Sequence, residues 1–275
     1  MYENRIIDTH AHIIDPVAFP FAEGPGYKPL PHEIGTSEAY CAVLDAHGVA
    51  HALLVQPSGY GYDNRAALDA MARHPGRFKT IAVLDPQTPE RELVALRAQG
   101  VVGVRFNLLS HRRDGLDGKV AARFLERLEE LGWFAQVFAD DAQWQAVEGT
   151  LRRSKVKVLI DHFGVRDLAA GLSQKGFQAV LALGREGRAA VKLSAPFRLS
   201  RGRDGFADLD PYVEALISAF GVEGCIWGSD WPFINFPEGF SYDAALRAVG
   251  RWLEDPGARK AVLWSNPARL FGFGA

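Results

Sequence analysis

The chain is poor in sulfur. Its 275 residues include two cysteines, Cys41 and Cys225, and two methionines. No disulfide framework is therefore expected, and a reducing cytoplasm is the expected setting. Charge of one sign is also missing. A net charge of −2 supplies neither the basic face that nucleic acid requires nor a polybasic membrane patch. No run of 18 apolar residues occurs, so no membrane-spanning helix is expected. Met1-Tyr2-Glu3-Asn4-Arg5 leads straight into a strand pattern, without an apolar leader. No Gly-rich turn follows the first hydrophobic run, where a phosphate-binding sheet would carry one. Ser194 and Ser229 lie outside any G-x-S-x-G elbow. Linkers and clear repeats are missing too, so residues 1–275 read as one domain.

What is present is a large apolar fraction, 48% against 23% charged, enough to bury a substantial core. Short β-branched runs recur at Ile6–Ile14, His51–Gln56, Lys79–Val83, Val101–Phe106, Trp133–Phe138, Val156–Ile160, Ala190–Leu193 and Cys225–Gly228. They are nearly continuous in hydrophobicity, as parallel strands covered on both faces are. Helical patterns lie between most of them, at Arg65–Arg73, Lys119–Leu131, Ala142–Arg153, Gln174–Leu183, Pro211–Phe220 and Tyr242–Leu253. Another opens at Thr88-Pro89-Glu90, with Thr88 as the expected N-cap and Pro89 at the first helical position, and closes at Gly100. Eight strands alternating with helices predict an α/β fold, a (β/α)₈ TIM barrel, over an open doubly wound sheet.

The stretch from Asp15 to about Gly35 has no clear helix or strand pattern. It holds Pro16, Pro20, Pro25, Pro29 and Pro31 with Phe19, Phe21 and Tyr27. Following the first strand, it belongs to the face where barrel active sites lie, and reads as a wall or lid.

Chemistry concentrates at the C-terminal strand ends of such a barrel. His10 and His12 are two apart and face the same side of a strand. His162 follows the sixth run; either it or Asp161 is expected to point inward. Asp230 follows the eighth run, and a carboxylate at an apolar rim needs partners. Three imidazoles and one acid permit a divalent-metal site with a bound water of lowered pKa. They equally permit a metal-free site in which Asp230 is the general base and the imidazoles hold an oxyanion. Arg105, Arg166 and Arg198 lie near strand ends and suit a small anionic substrate. His111, Arg112, Arg113, Arg201 and Arg203 read as solvated loop residues. Gln136, Asn107, Tyr60, Gln56 and Ser194 are weaker substrate-binding candidates. Trp231 and Phe233 are expected in the pocket wall, Cys225 in the core, and His32, His47, His51 and His74 in structural roles.

Five motifs in order, Asp8-Thr9-His10-Ala11-His12, Gly103-Val104-Arg105-Phe106-Asn107, Asp161-His162-Phe163-Gly164, Lys192-Leu193-Ser194 and Gly228-Ser229-Asp230-Trp231-Pro232, resemble the amidohydrolase superfamily. Within it they are similar to the branch of 2-pyrone-4,6-dicarboxylate lactonases and sugar-acid lactonases. The resemblance spans nearly the whole chain. It implies a distorted (β/α)₈ barrel, a cytoplasmic hydrolase in aromatic or sugar-acid catabolism, and opening of a carboxylate-bearing lactone by Asp-activated water. The site it implies is His10, His12, His162 and Asp230, with no metal required or one divalent ion, zinc if any, on those residues. Arg105 stands where binuclear relatives carry a bridging lysine, and Gln136 where they carry His, so no binuclear centre is expected. Arg166 comes one position later than in pyrone-dicarboxylate lactonases, and Phe197 replaces an expected tyrosine. Rival readings are a zinc-dependent decarboxylase of the same superfamily and a non-catalytic organic-acid-binding barrel. No nucleic acid or membrane partner is expected, and a homo-oligomer is left open.

Overall fold

In the computed structural model, which describes residues 6–21, 29–109, 116, 118–202, 205–236 and 240–274, the hydrophobic runs form eight parallel strands ordered in sequence around one sheet. These are β1 (Ile6–Ala11), β2 (Val49–Val55), β3 (Phe78–Ala82), β4 (Val101–Asn107), β5 (Phe134–Phe138), β6 (Lys157–Ile160), β7 (Ala189–Ser194) and β8 (Cys225–Gly228). Helices cross over between them: α1 (Ser37–Ala46), α2 (Arg65–Arg73), α3 (Glu90–Ala98), α4 (Gly118–Glu130), α5 (Asp141–Arg153), α6 (Lys175–Arg185) and α7 (Asp210–Phe220). After β8 come α8 (Tyr242–Trp252), α9 (Pro256–Lys260) and α10 (Asn266–Phe271). The result is a nearly closed (β/α)₈ barrel.

Three local expectations need correction. The first strand ends at Ala11 rather than Ile14, because Ile14 turns aside to bridge Gly35. Helix α1 went unanticipated: it buries only Ser37, Tyr40 and Leu44, too thin an apolar stripe to register, and Thr36 caps it by accepting from Ala39 N. Thr88 does not cap α3, since its hydroxyl donates to the Asp85 carbonyl and Pro89 takes the N-cap position.

The barrel interior changes character along the strands. Ile7, Leu53, Ile81, Phe134, Leu159, Ala190 and Ile226 form an inner hydrocarbon layer, plugged by Phe271 and Phe273 from the chain's C-terminal end. One inward step further up, Phe134 gives way to Gln136, Leu159 to Asp161 and Ala190 to Lys192, all buried. The outer core packs the strands against the helices through side chains such as Leu44, Leu125, Leu151 and Val249.

Closure between β1 and β8 is short. Asp230 N donates to the His10 carbonyl at 2.7 Å and His12 N to the Trp231 carbonyl at 2.8 Å; the Thr9 hydroxyl donates to the Trp227 carbonyl at 2.6 Å. Asp8 reinforces it from the helix side. Its carboxylate accepts from Ser229 N at 2.9 Å and Ser229 Oγ at 2.6 Å. It also accepts from Tyr40 of α1 at 2.7 Å and Tyr242 of α8 at 2.9 Å. Burial pushes the Asp8 pKa up, and these donors oppose the rise. A register shift in β1 between Asp8 and Ala11 turns the side-chain phase, as a bulge does. Asp8 therefore faces the helices while His10 and His12 face the barrel axis.

Gly228 sits where the strands meet. A Cβ there would lie 2.6 Å from His10 Cβ and 2.7 Å from His10 N, and backbone cannot yield. Gly228→Ala is expected to destabilise the fold by about 1–3 kcal/mol. Urea denaturation checks this: a lowered midpoint at unchanged slope is the expected result, and an unchanged midpoint would show that the seam has slack.

Candidate active site

At the C-terminal rim the strands surround a cavity of about 500 Å³. His12 and Asp230 arrive there through the β1–β8 seam. Asp230 has a φ of 65°, a left-handed conformation that Asp tolerates, which turns its carboxylate inward just past β8. Beyond β6 the chain passes through His162, Phe163 and Gly164 at φ 48°, 61° and 64°. Strand alternation stops there, so Asp161 and His162 both reach the centre instead of one excluding the other. Gly164 is required at that turn on two counts, its positive φ and a Cβ position only 2.8 Å from Val180 Cγ1.

Three imidazole nitrogens converge on one oxygen. Asp230 Oδ1 lies 3.3 Å from His12 Nε2, 3.6 Å from His10 Nε2 and 3.8 Å from His162 Nε2. Asp230 Oδ1 and His10 Nε2 are buried and have no hydrogen-bond partner. Asp230 Oδ2 is occupied, accepting from Arg198 Nε at 2.5 Å. Burial raises the Asp230 pKa, but Arg198, then His162, and the contacts with His12 and His10 outweigh it, holding the carboxyl well below its usual range. The group is a carboxylate. Burial lowers the His162 pKa to about 3, so this imidazole is neutral.

Below this trio lies a second charged group. Asp161 Oδ1 is 3.2 Å from His10 Nδ1 and 3.3 Å from Lys192 Nζ, and Asp161 Oδ2 is 3.4 Å from Arg105 Nε. Gln136 donates to Asp161 Oδ2 at 3.0 Å and accepts from Lys192 at 2.8 Å. Burial pushes the Asp161 pKa up, and Lys192, His10 and Arg105 pull it further down. Burial brings Lys192 down to about 8.

Among the described residues, two sets of side chains have ligand atoms within 4.8 Å of one another, close enough to hold an ion: His10, His12 and Asp230, and His10, Asp161 and His162.

Residues 7–273 match the amidohydrolase family. The chain belongs to that family. This amidohydrolase is 32% identical over 271 residues to a 4-sulfomuconolactone hydrolase of Rhizobium radiobacter, covering 96% of this chain and 89% of that one. It is 27% identical over 276 residues to a 2-pyrone-4,6-dicarboxylate hydrolase of Comamonas testosteroni, covering 96% and 89%. Among solved structures it resembles a probable 2-pyrone-4,6-dicarboxylic acid hydrolase of Acinetobacter baumannii with citric acid bound. There the TM-score is 0.88 and the identity 32%, over 98% of this chain and all (100%) of that one. These three relatives are named as hydrolases of a sulfomuconolactone or of a pyrone dicarboxylate.

The amidohydrolase brings His10, His12, His162 and Asp230 into one cluster. Arg105, Asn107, Arg166 and Arg198 line the cavity with His12, His162 and Asp230, while the fully buried His10 lies behind them. Arg198 is only partly free for a substrate: its Nε is committed to Asp230. Arg105 donates to the Gln56 carbonyl at 3.1 Å, and Arg166 lies at the mouth, 5.0 Å from the Phe138 ring centroid. Ser194 sits behind His162, its Oγ 2.9 Å from Nδ1. Gln136 and Tyr60 stand apart from the cavity lining. Gln136 holds Lys192 and Asp161, and the buried Tyr60 hydroxyl accepts from Asp15 N at 2.9 Å. Trp231 stacks on Tyr40 and Phe233 backs Phe197, so neither is the wall itself; Ile234, Asn235 and Phe236 are. Phe21, from the β1 loop, packs against Tyr60 and fills the space a Cβ on the cavity residue Gly59 would need. The centre of that loop, 22–28, and His111, Arg112, Arg113 and Arg203 lie outside the described residues. Lys192 went unrecognised as a site residue; its signal was its place one inward step above a hydrocarbon layer.

Gln136→Met removes an acceptor from a buried ammonium and a donor from a buried carboxylate. It is expected to lower stability by about 1–3 kcal/mol and to leave KM unchanged. Urea denaturation beside steady-state kinetics checks this; a raised KM at unaltered stability would return Gln136 to substrate binding.

Proposed function

We propose that this one-domain barrel is a lactonase that opens a small carboxylate-bearing lactone. The observation that carries the reading is Asp230 Oδ1, a buried carboxylate oxygen with no hydrogen-bond partner, facing three imidazole nitrogens. His12 Nδ1 is 2.7 Å from the Val55 carbonyl. A carbonyl only accepts, so Nδ1 carries a proton, and Nε2 is the nitrogen turned to Asp230 Oδ1, 3.3 Å away. A water held between Asp230 Oδ1 and His12 Nε2 is the nucleophile.

The substrate carboxylate pairs with Arg105, Arg166 and the remaining nitrogens of Arg198. Asn107 and Ser58, joined at 2.7 Å, offer amide and hydroxyl groups beside it. As water attacks the carbonyl carbon, Asp230 takes its proton. The oxyanion that forms is held by an imidazole N–H above the cluster. Collapse breaks the ring C–O bond, and Asp230 returns the proton to the leaving oxygen, giving a hydroxy acid or its keto tautomer.

The same unpartnered atoms suit one divalent ion. His10 Nε2, His12 Nε2 and Asp230 Oδ1 would hold it. Zinc there would supply a bound water of lowered pKa. A second ion on His10, Asp161 and His162 would meet the Lys192 ammonium, which disfavours a binuclear centre. The free thiols of Cys41 and Cys225 support a cytoplasmic setting; no helix among the described residues is long and apolar enough to cross a membrane.

A turnover screen of acidic lactones, with and without chelator and beside elemental analysis, tests the reading. Asp230→Asn is expected to lower kcat roughly 10²–10⁴-fold in a folded protein. Full turnover by this variant, or chelator-sensitive decarboxylation with no lactone opening, would overturn it.

A further inference from the structure

Behind the imidazoles lies a charged group that the hydrolysis above leaves idle. Lys192 is fully buried. A buried ammonium has three N–H donors and no acceptor capacity, so it needs three acceptors. Three lie in reach: Gln136 Oε1 at 2.8 Å, His10 Nδ1 at 3.2 Å and Asp161 Oδ1 at 3.3 Å. Gln136 is oriented by its own donation to Asp161 Oδ2, which turns Oε1 to the lysine. An imidazole nitrogen accepts only when it carries no hydrogen. Asp161 Oδ1 also lies 3.2 Å from His10 Nδ1, but Lys192 Nζ is as close to Nδ1 and has only hydrogens to give, so we take the lysine as the donor to Nδ1.

We propose that Lys192 is a positioning residue that fixes the tautomer of His10, leaving Nδ1 bare and placing the ring proton on Nε2, toward Asp230 Oδ1, 3.6 Å away. Burial and the Lys192 charge keep that ring neutral. His12 has the opposite arrangement, with its proton-bearing Nδ1 on Val55. The two histidines of one strand thus divide the labour. His12 faces the attacking water in the cavity, and His10, behind it, turns its N–H toward Asp230 Oδ1 and orients that carboxylate. This assignment of roles rests on the lactonase reading; the tautomers do not. A second consequence concerns metal. His10 Nε2 can ligate an ion only after surrendering its proton, so Lys192 opposes metal binding at His10, His12 and Asp230.

Nitrogen-15 histidine NMR of the metal-free protein tests this, with His10→Gln to assign the signals. In the unmutated protein His10 is expected to carry its proton on Nε2 and His12 on Nδ1. In Lys192→Met the His10 proton is expected to move to Nδ1, where Asp161 accepts it. That variant should lose roughly 100-fold in kcat with little change in KM, and bind zinc roughly tenfold or more tightly by calorimetry. A His10 proton on Nδ1 in the unmutated protein, or the same His10 tautomer with and without Lys192, would overturn the proposal. If Lys192→Met does not fold, the spectrum of the unmutated protein decides alone. NMR needs no substrate, so a chain that opens no lactone yet shows these tautomers refutes the lactonase reading and leaves the Lys192 assignment intact.

Discussion

Two backbone hydrogen bonds, Asp230 N to the His10 carbonyl and His12 N to the Trp231 carbonyl, tie the last strand to the first, and the site exists only because they form. Asp230, the proposed base, and the first two imidazoles lie more than 200 residues apart in the sequence. Nothing local brings them together. The seam is short, so it draws on neighbours: the five donors around Asp8 and the missing side chain of Gly228 that lets β8 approach His10. A carboxylate taken out of water this completely is costly unless it is fully bonded. Placing one at the seam makes closure specific, because no other pairing of strands satisfies it.

The interior then acts as a graded medium. At the bottom it is hydrocarbon sealed by Phe271 and Phe273. One inward step up, Gln136, Asp161 and Lys192 form a closed polar layer, and only above that do His12, His162 and Asp230 meet the cavity. The middle layer shields the imidazoles from bulk water and gives them fixed neighbours, which is how preorganised donors gain strength at a reacting centre. Asp230 remains ionised despite burial because Arg198 faces its other oxygen. That leaves Oδ1 open on the cavity side, where the proposed base must act.

Much of this was legible in the chain. Parallel strands covered on both faces are hydrophobic without a break, so β1 to β8 stood out and the barrel followed from their number and spacing. His10, His12, His162 and Asp230 were legible because polar residues at the ends of such runs need a reason to be there. Three things were not. The shift of register in β1 is a backbone event with no residue signature, and it alone turns Asp8 to the helices while His10 faces in. The left-handed run from His162 to Gly164 breaks alternation, so strand logic forced a choice between Asp161 and His162 that the backbone does not make. Whether Gln136 and Tyr60 reach the cavity or hold other groups depends on depth along the strand and on Asp15, neither of which is a property of sequence spacing.

The amidohydrolase barrel supplies the frame, and acidic lactones are the class of substrate proposed for it. What belongs to this chain is a carboxylate with one oxygen committed to Arg198 and the other open to three imidazoles. A crystal structure with a non-hydrolysable acidic lactam tests that claim most directly. The account predicts a water shared by Asp230 Oδ1 and His12 Nε2, the lactam carbonyl turned to the imidazoles that line the cavity, and the carboxylate on the arginines. A carboxylate seated on the imidazoles, with the ring carbonyl turned away from Asp230, would contradict it.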